Sequence, residues 1–473
     1  MTRSAGDGRV HGRFVSSLPG MTWPAIPSAQ GALLGMLLRQ FAESQWLGAE
    51  EIEARQLAQL RLLLAHAKRH SRFFAERLRN LDTDRPMSLH ECLAGLPIMH
   101  RQDLQNRRRE IDCAWYPSEH GGATVGKSTG STGEPVAVRR TALNNLIWMA
   151  MTLREHLWQG RDFGASLAVI RANSDGDKGH DEGIVRTDWG PPVNELLVSG
   201  PSYGLSLQTD IGRQVAWLRD IGPDYLLTYP SNLDALLDEA EADPLHRAGL
   251  GHVRQVRTIG ETLADALRQR CRDLLHAEIA DTYSTQEVGV LAAECPMGGG
   301  YHVMAEGVII EILDDDDRPC APGTVGRVVA TDLHNFATPL IRYDLRDIAE
   351  MGSPCRCGRG LPRLTRILGR QRNLVHLPDG RRYWPLTGAY GYRDIAPVRQ
   401  YQVIQRSLER VTLRLAAERS LTPGEEAALA KLLGSFLGHP FAVDFEYFPD
   451  GIPRGRGGKF EDFICELPAN TTA

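Results

Sequence analysis

The pattern of apolar and polar positions predicts a helical beginning. Over residues 31–79, apolar side chains recur at three- and four-residue steps through LLGMLLRQF and IEARQLAQLRLLLAHA. This period places them on one helix face and predicts two or three helices that pack together. The same spacing returns over residues 142–159. The stretch at 123–138 is instead rich in Gly, Ser and Thr and lies between two flanks that favour β-strands.

Strands and helices then alternate along the chain. The stretches ASLAVIRA (165–172) and DYLLTYP (224–230) are strand candidates, and the second leads into a helix for which Ser231 is the expected N-cap. The stretch VRQVRTIGE (253–261) predicts a strand that enters a glycine-containing turn. It is followed by the helical pattern LADALRQRCRDLLH and by another strand and turn, AEIADTYSTQEVG. This βαβ rhythm predicts a mostly parallel sheet with helices on its faces.

The last third of the chain changes pattern twice. Residues 307–333 carry two apolar strands around a turn-rich connection, which predicts an antiparallel hairpin. The acidic run 314–317 at this connection is interpreted as a solvated turn, with a metal site as the alternative. After residue 373, three strand candidates and one helix candidate follow one another. They predict an α+β unit of about one hundred residues.

The composition indicates a globular protein that acts on small molecules. The chain has 473 residues and a formal charge of −5, and at roughly 150 residues per domain it allows about three folding units. This charge balance argues against a dedicated nucleic-acid binder. Eight cysteines without a repeating spacing exclude a disulfide scaffold and favour a reducing compartment. Because no stretch resembles a signal peptide or a membrane span, we expect a cytoplasmic protein without nucleic-acid or membrane partners.

A loop suited to anions occupies residues 128–135, STGSTGEP, directly after Lys127. Glycine permits the backbone dihedrals that point several N–H groups inward, and the hydroxyl groups add further donors for phosphate oxygens. The loop lacks the G-x-x-x-x-G-K-[ST] pattern of a P-loop. Taken alone, such a stretch is also typical of a linker.

Three cysteines and one histidine form a candidate metal site. Cys295 and His302 lie near each other in the sequence, and Cys355 and Cys357 follow as a C-x-C pair. A hairpin that brought the two pairs together would make a closed Cys₃His site, which is typical of structural zinc. The alternative is that these are ordinary buried cysteines. The glycines and prolines in CPMGGGYH and SPCRCGRG favour metal-binding knuckles.

The ordered set of motifs resembles the adenylate-forming superfamily of acyl-CoA synthetases, peptide-synthetase adenylation domains and luciferases. The set comprises STGSTGEP, Gly260-Glu261, a Tyr-x-x-x-Glu turn, RYDLRDIA, Gly369-Arg370 and GGKF. The segments CRCGRGLP, YHVMAEGVIIEI and TDLHNFATPLIRY are most similar to the phenylacetate-CoA ligase branch and its capsule-biosynthesis-associated relatives. The resemblance covers roughly residues 60–465.

The resemblance implies an α/β fold built from a large and a small domain. The large N-terminal domain would hold mostly parallel sheets flanked by helices and a small β-barrel-like part. We expect a flexible tail over 1–30, the large domain over 31–369, and a small mobile α+β domain over 370–473. At the hinge the chain departs from the family, because Arg372 and Asn373 follow Gly369-Arg370-Gln371 where acidic residues are usual.

The resemblance also implies which residues bind ATP. Tyr283 would pack against adenine, with Gly260 and Glu261 along the adenine pocket. Glu287 would hold Mg²⁺ between the phosphates, since this cation prefers oxygen ligands. For Tyr283 and Glu287 the alternatives are a half-buried turn aromatic and a carboxylate at a helix start. The β- and γ-phosphates would be bound by Ser128, Thr129, Ser131, Thr132 and Gly133.

Three further residues complete the implied site. Asp347, rather than its neighbour Asp344, would accept the ribose hydroxyl groups, and Arg370 would help bind ribose or phosphate. Lys459 would act in catalysis as the mobile cation that stabilises charge on the α-phosphate. For Lys459 the alternative is a solvated lysine in a basic tail.

The reaction implied is ATP-dependent activation of a carboxylic acid, with an aryl or arylacetic acid as the expected substrate. The acyl-adenylate forms with release of pyrophosphate, and the acyl group passes to coenzyme A. An alternative acceptor is an amine or a carrier-protein thiol, and a second alternative is a non-catalytic nucleotide-binding relative. The expected acid pocket lies between helix residues 144–151, Tyr203 and Tyr229. We expect a monomer or a homodimer.

Overall fold

The protein is described by a computed structural model. It describes residue 10 and residues 12–82, 85–127, 136–172, 183–370, 375–383, 392–449, 451–454 and 460–467. Two long helices joined by a short connection, and a short third helix after them, confirm the two or three helices predicted for residues 31–79. The α-helices are α1 (Ala29–Ser44), α2 (Ala49–His70), α3 (Arg72–Arg77), α4 (Leu89–Ala94), α5 (Arg101–Ile111), α6 (Ala142–Trp158), α7 (Ile211–Ile221), α8 (Pro230–Ala242), α9 (Pro244–Leu250), α10 (Asp265–Leu275), α11 (Tyr392–Ile395) and α12 (Pro423–Phe436).

Most strands belong to one large sheet. The strands are β1 (Ala123–Lys127), β2 (Ala137–Thr141), β3 (Leu167–Arg171), β4 (Ile184–Arg186), β5 (Ser202–Ser206), β6 (Tyr225–Thr228), β7 (Gln255–Ile259), β8 (Glu278–Thr285), β9 (Gly289–Glu294), β10 (Tyr301–Val303), β11 (Val308–Leu313), β12 (Val325–Asp332), β13 (Tyr343–Met351), β14 (Arg363–Arg370), β15 (Val375–His376), β16 (Arg382–Tyr383), β17 (Val398–Gln405), β18 (Arg410–Ala417), β19 (Ala442–Tyr447) and β20 (Phe463–Cys465).

The large sheet has twelve strands in the order β11-β12-β13-β14-β10-β9-β8-β7-β6-β3-β5-β4. Its five neighbouring strands β5, β3, β6, β7 and β8 run parallel, as the βαβ rhythm predicted. The other pairings are antiparallel, so the sheet as a whole is mixed. Strands β9–β14, where a separate barrel-like part was expected, instead form the antiparallel end of this same sheet. The α/β fold class is confirmed.

Two buried apolar clusters hold the large sheet against its helices. One joins α2 and α6 to the antiparallel strands, with Leu60, Leu63 and Leu64 fully buried. The second packs α7, α8 and α10 on the parallel strands, where Leu233 and Val256 are fully buried. Burial of such aliphatic side chains contributes about 1.5–3 kcal/mol each. The two clusters therefore fix the sheet edge that carries the candidate site.

The C-terminal unit is a separate four-stranded sheet in the order β19-β18-β17-β20. It has its own buried cluster, in which α12 contributes Leu429 and Leu433. The chain begins α12 with Thr422, whose hydroxyl oxygen accepts from the Glu425 N–H in a capping box. Within this unit, β17, β18, α12 and β19 follow one another in the predicted order of strand, strand, helix and strand.

Two local predictions need correction. The N-cap of α8 is Tyr229, and Ser231 lies inside the helix, because Pro230 takes the first helical position. The flexible tail expected over residues 1–30 does not hold for residues 13–15, which pair through backbone hydrogen bonds with 196–198.

No helix in the described part of the chain is long and apolar enough to cross a membrane.

Candidate active site and metal cluster

The candidate site lies where parallel strands β7 and β8 end. Ile259 is the last residue of β7 and is followed by Gly260, whose φ of 78° is the left-handed conformation that favours glycine. Strand β8 ends at Thr285, two residues before Glu287. Carboxyl ends of parallel strands lie at one edge of a sheet, where α/β proteins bind ligands. The sheet thus brings together motifs that the sequence placed far apart.

Three residues assigned to ATP by the resemblance contact one another. The Tyr283 hydroxyl donates to Asp347 Oδ2 at 2.6 Å. Arg370 Nε lies 3.8 Å from Asp347 Oδ1, because Asp347 and Arg370 are paired on β13 and β14. Burial and the Asp347 carboxylate raise the pKa of Tyr283 well above its usual value. The phenol therefore stays a neutral donor that orients this carboxylate.

Glu287 forms an ion pair with a residue that sequence reasoning missed. Arg101 Nη1 lies 3.1 Å from Glu287 Oε1, and each side chain is 12% exposed. Arg101 begins α5, 186 residues before Glu287 in the chain. Nothing in its local sequence distinguishes it from the other arginines of that helix. The carboxylate predicted to hold magnesium is thus balanced by a nearby cation.

Arg140 is a second missed cation. Its guanidinium donates to the Gln286 carbonyl oxygen and lies 4.5 Å from the centre of the Trp148 ring. The Arg140 guanidinium also packs against Gly126, where an added Cβ would lie too close to Nη2 and force the guanidinium to shift. Burial lowers the pKa of Arg140 against the opposing effect of Asp332 and Glu287. Arg140 connects β1, α6 and the turn that carries Glu287.

Glu261 contacts the C-terminal unit. Its Oε2 accepts from the Ser231 N–H at 2.9 Å, and its Oε1 accepts from the Phe460 N–H at 2.8 Å. Arg454 Nη1 lies 3.8 Å from Oε1 and donates to Ser231 Oγ at 2.7 Å. Burial raises the pKa of Glu261 while these donors oppose that increase. Both carboxylate oxygens of Glu261 are therefore engaged in protein contacts.

Several predicted residues lie outside the described part of the chain. They include the catalytic candidate Lys459 and the hinge residues Gln371, Arg372 and Asn373. Strands β1 and β2, which flank the predicted phosphate loop, form an antiparallel hairpin in which Lys127 pairs with Ala137. The loop residues outside the description are Ser128, Thr129, Ser131, Thr132 and Gly133.

The residues proposed for zinc come together. The ligand atoms of Cys295, His302, Cys355 and Cys357 all lie within 4.8 Å of one another. Cys295 follows β9 and His302 lies on the neighbouring β10, which also pairs with β14. The loop between β13 and β14 supplies the C-x-C pair. Because β14 pairs with β10, the loop before β14 brings Cys355 and Cys357 close to Cys295 and His302 of the β9–β10 hairpin.

The geometry of the cluster fits a tetrahedral zinc ion. Cys295 Sγ and Cys355 Sγ are 3.8 Å apart, which is too long for a disulfide. A tetrahedral ion with Zn–S bonds of about 2.3 Å would place two sulfur ligands about 3.8 Å apart. Cys357 Sγ lies 3.2 Å from His302 Nε2.

The pKa values of the cluster residues are shifted in different directions. Burial lowers the pKa of His302 to about 4, so its imidazole is neutral near pH 7. Burial also raises the pKa of the Cys295 thiol to about 12. Burial would raise the pKa of Cys357 too, but hydrogen bonds from Arg359 hold it below its usual value. A neutral imidazole is ready to bind a metal, whereas the Cys295 thiol needs a cation to favour its thiolate.

Comparisons with known proteins agree with the predicted superfamily. No protein-family model matches the chain. Phenylacetate-coenzyme A ligase of Thermus thermophilus is 26% identical over 347 residues, which cover 70% of this chain and 73% of that protein. The protein of the same name from Aromatoleum evansii is 26% identical over 337 residues, covering 69% and 72%.

Solved structures share the fold. The crystal structure of 2-hydroxyisobutyryl-CoA ligase in the postadenylation state, in complex with 2-HIB-AMP, has a TM-score of 0.69 and 17% identity. The alignment covers 89% of this chain and 91% of that one. The same enzyme in complex with 2-HIB-AMP and CoA in its thioesterification state gives a TM-score of 0.59 at 19% identity, with the same coverage.

The chain thus shares the fold of an acyl-CoA ligase, and its sequence is similar to that of phenylacetate-coenzyme A ligases, which agrees with the resemblance found in the sequence.

Proposed function

We propose that this protein is an AMP-forming acid–CoA ligase. It activates a carboxylic acid with ATP and transfers the acyl group to the thiol of coenzyme A. The observation that carries the proposal is the Tyr283, Asp347 and Arg370 group, which lies beside Glu287 at the carboxyl edge of the parallel strands. The shared name of the relatives, phenylacetate-coenzyme A ligase, supports the same reaction.

The first half-reaction forms an acyl-adenylate. A carboxylate oxygen of the acid bonds to the α-phosphorus of ATP, and the bond to the bridging oxygen breaks, so pyrophosphate leaves. Tyr283 packs against adenine, Asp347 accepts the ribose hydroxyl groups, and Arg370 binds ribose or phosphate. Lys459 and the loop at 128–135 stabilise the charge that develops on the phosphates.

The second half-reaction forms the thioester. The coenzyme A sulfur bonds to the acyl carbon, the bond to the phosphate oxygen breaks, and AMP leaves while the thiol proton passes to solvent. No residue in the described part of the chain is assigned to this proton.

Glu287 would hold Mg²⁺. The fit is chemical, because a carboxylate that is 12% exposed supplies the hard oxygen ligand this ion prefers. When bound, the ion neutralises phosphate charge. The ion would compete for this carboxylate with Arg101, which pairs with Glu287 here. Binding of the nucleotide therefore exchanges one partner of Glu287 for another.

The substrate is a small carboxylic acid, and we infer an aryl or arylacetic acid. The expected pocket borders α6, where the Trp148 ring packs on the backbone of Gly289, and Met151 packs on Gly307. The first contact places an aromatic side chain beside the turn that carries Glu287, and the second places a flexible apolar side chain on the same helix. Such a lining suits an apolar acid better than a charged one.

We propose that Cys295, His302, Cys355 and Cys357 bind a structural zinc ion. Three thiolates and one imidazole match a closed site with no open position for a substrate. The ion would tie the β9–β10 hairpin to the loop between β13 and β14. A cytoplasmic location and a monomeric or homodimeric state stay predictions from the sequence.

An acid panel tests the proposed reaction. Phenylacetate, benzoate and short aliphatic acids would each be scored for acid-dependent exchange of labelled pyrophosphate into ATP. We expect at least one aryl or arylacetic acid to support exchange. Hydroxylamine would trap the adenylate as a hydroxamate without coenzyme A, and mass spectrometry would detect the thioester when coenzyme A is present. Exchange without any thioester would favour an amine or carrier-protein acceptor, and no exchange with any acid would contradict the proposal.

A further inference from the structure

A single carboxylate joins the large domain to the C-terminal unit next to the predicted catalytic lysine. Glu261 follows β7 and accepts hydrogen bonds from backbone N–H groups on both sides of this contact. Ser231 belongs to α8 of the large domain, and Phe460 directly follows Lys459. Arg454 adds a cation 3.8 Å from the same carboxylate. We call Glu261, Ser231, Arg454 and Phe460 the Glu261 clamp.

The clamp holds the chain on both sides of residues 455–459. Arg454 immediately precedes this range, and Phe460 immediately follows it. Both are anchored at Glu261 Oε1, at 3.8 Å and 2.8 Å. Because the two anchors share one oxygen atom, Glu261 contacts the C-terminal unit at two separate points of its chain.

The charges of the clamp are balanced only when the two parts are docked. The Glu261 side chain is 5% exposed and that of Arg454 is 23% exposed. Burial works against the charged form of each, and the attraction between them offsets that cost. After undocking, water would solvate both groups.

We propose that Glu261 is a positioning residue that docks the C-terminal unit, the part of the chain whose sequence includes the predicted catalytic Lys459, on the large domain for adenylation. The clamp releases the unit for the second half-reaction. This inference rests on the proposed function and replaces the expected role of Glu261 along the adenine pocket. Both of its oxygens are occupied by Ser231, Arg454 and Phe460.

The test separates the two half-reactions in the full-length protein. Adenylation is measured by pyrophosphate exchange, and thioester formation is measured from a supplied acyl-adenylate plus coenzyme A. We expect Glu261→Ala to slow adenylation by about tenfold or more, the size expected for loss of hydrogen bonds to a charged acceptor. Thioester formation from the supplied adenylate should change by less than about twofold on the same reasoning. Arg454→Met should act in the same direction.

A measurement of docking independent of activity accompanies the kinetics. Hydrogen exchange of peptides that contain Phe460 should be faster in Glu261→Ala than in the unaltered protein, because the Phe460 N–H loses its acceptor. Matched controls are Asp444→Ala and Arg410→Met, which remove an exposed ion pair inside the C-terminal sheet. They should alter neither the exchange at Phe460 nor the ratio of the two half-reaction rates.

Two results would overturn the clamp. Unchanged exchange at Phe460 in Glu261→Ala would show that the carboxylate does not dock the C-terminal unit. An equal loss of both half-reactions, with faster exchange confined to α8, would show that Glu261 only caps that helix. If no acid supports adenylation, the proposed function fails, and the exchange at Phe460 still decides whether Glu261 docks the unit.

Discussion

Replacement of Glu155 should destabilise the protein strongly. Glu155 lies on α6 with no solvent exposure and contacts two arginines. Arg161 Nη2 lies 2.8 Å from Glu155 Oε1, and Arg257 Nε on β7 lies 3.0 Å from Oε2. The exposed fractions of the two arginine side chains are only 2% and 14%. Glu155→Gln keeps the shape of the side chain but removes the negative charge between two buried cations.

The magnitude follows from the pKa of Glu155. Burial alone would raise this pKa, but Arg161 and Arg257 lower it from its usual 4.5 to about 2. At about 1.4 kcal/mol for each pH unit, the folded state favours the ionised form by about 3 kcal/mol. Removing one member of a buried ion pair costs roughly 3–5 kcal/mol by mutation. We expect Glu155→Gln to lower the free energy of unfolding by about 3–4 kcal/mol.

The two ion pairs of Glu155 also predict how the stability of the protein depends on pH. Since the folded-state pKa of Glu155 lies below the unfolded value, its contribution is fully present above about pH 4.5. It is lost as the pH falls from there toward about 2. The unaltered protein should therefore lose stability more steeply than Glu155→Gln over this acidic range. A fit of urea unfolding at several pH values measures the difference.

Thermal and urea unfolding provide the assay at neutral pH. The midpoint of Glu155→Gln should fall by roughly 5–10 °C, given the usual relation between free energy and Tm in large domains. Glu43→Gln, which disrupts an exposed pair with Arg39, is the matched control and should change little. Glu155→Gln should cost less when Arg161→Gln is also present, because fewer cations are then left unpaired. Equal midpoints for Glu155→Gln and the control, or strictly additive costs, would refute the reasoning.

Two further predictions concern the site and its supports. Cys355→Ser should lower zinc content and Tm together, and elemental analysis that finds no zinc in the unaltered protein would contradict the metal assignment. Arg140→Met should slow pyrophosphate exchange by about tenfold, because a hydrogen bond from a buried cation to the turn that carries Glu287 is lost; an unchanged rate would remove Arg140 from the site.

The order of helices and strands was predictable because burial imposes a period. Apolar residues in α2 and in β6 show the spacing of a helix and of a fully buried strand, and both elements form where expected. The antiparallel end of the sheet was predicted only for the β11–β12 hairpin. The pairing of β10 with β14 joins residues about sixty positions apart, and local patterns carry no record of such a contact.

The residues of the candidate site were likewise predictable only in part. Tyr283 and Asp347 were identified by motifs, and the structure adds the 2.6 Å hydrogen bond between them. Arg101 and Arg140 have no motif, since each acts through a contact with a turn 186 or 146 residues away. The clustering of Cys295, His302, Cys355 and Cys357 was predictable because the residue types and spacing are those that metal binding requires. A cation that balances a buried carboxylate only has to lie close to it in the folded protein, so no sequence pattern identifies it.

The charged groups of the candidate site are already paired with one another in this structure. Glu287 pairs with Arg101, Asp347 accepts from Tyr283, and Glu261 accepts from the C-terminal unit. A buried carboxylate without a partner would be costly, so these contacts keep the site folded before any substrate arrives. If the proposed function holds, binding of magnesium and ATP exchanges the partners of these carboxylates and adds no new ones. The net affinity is the difference between two sets of strong contacts, and only that difference favours the nucleotide. Changes at the partner residues should therefore alter nucleotide affinity as well as stability, and those two effects can have opposite signs.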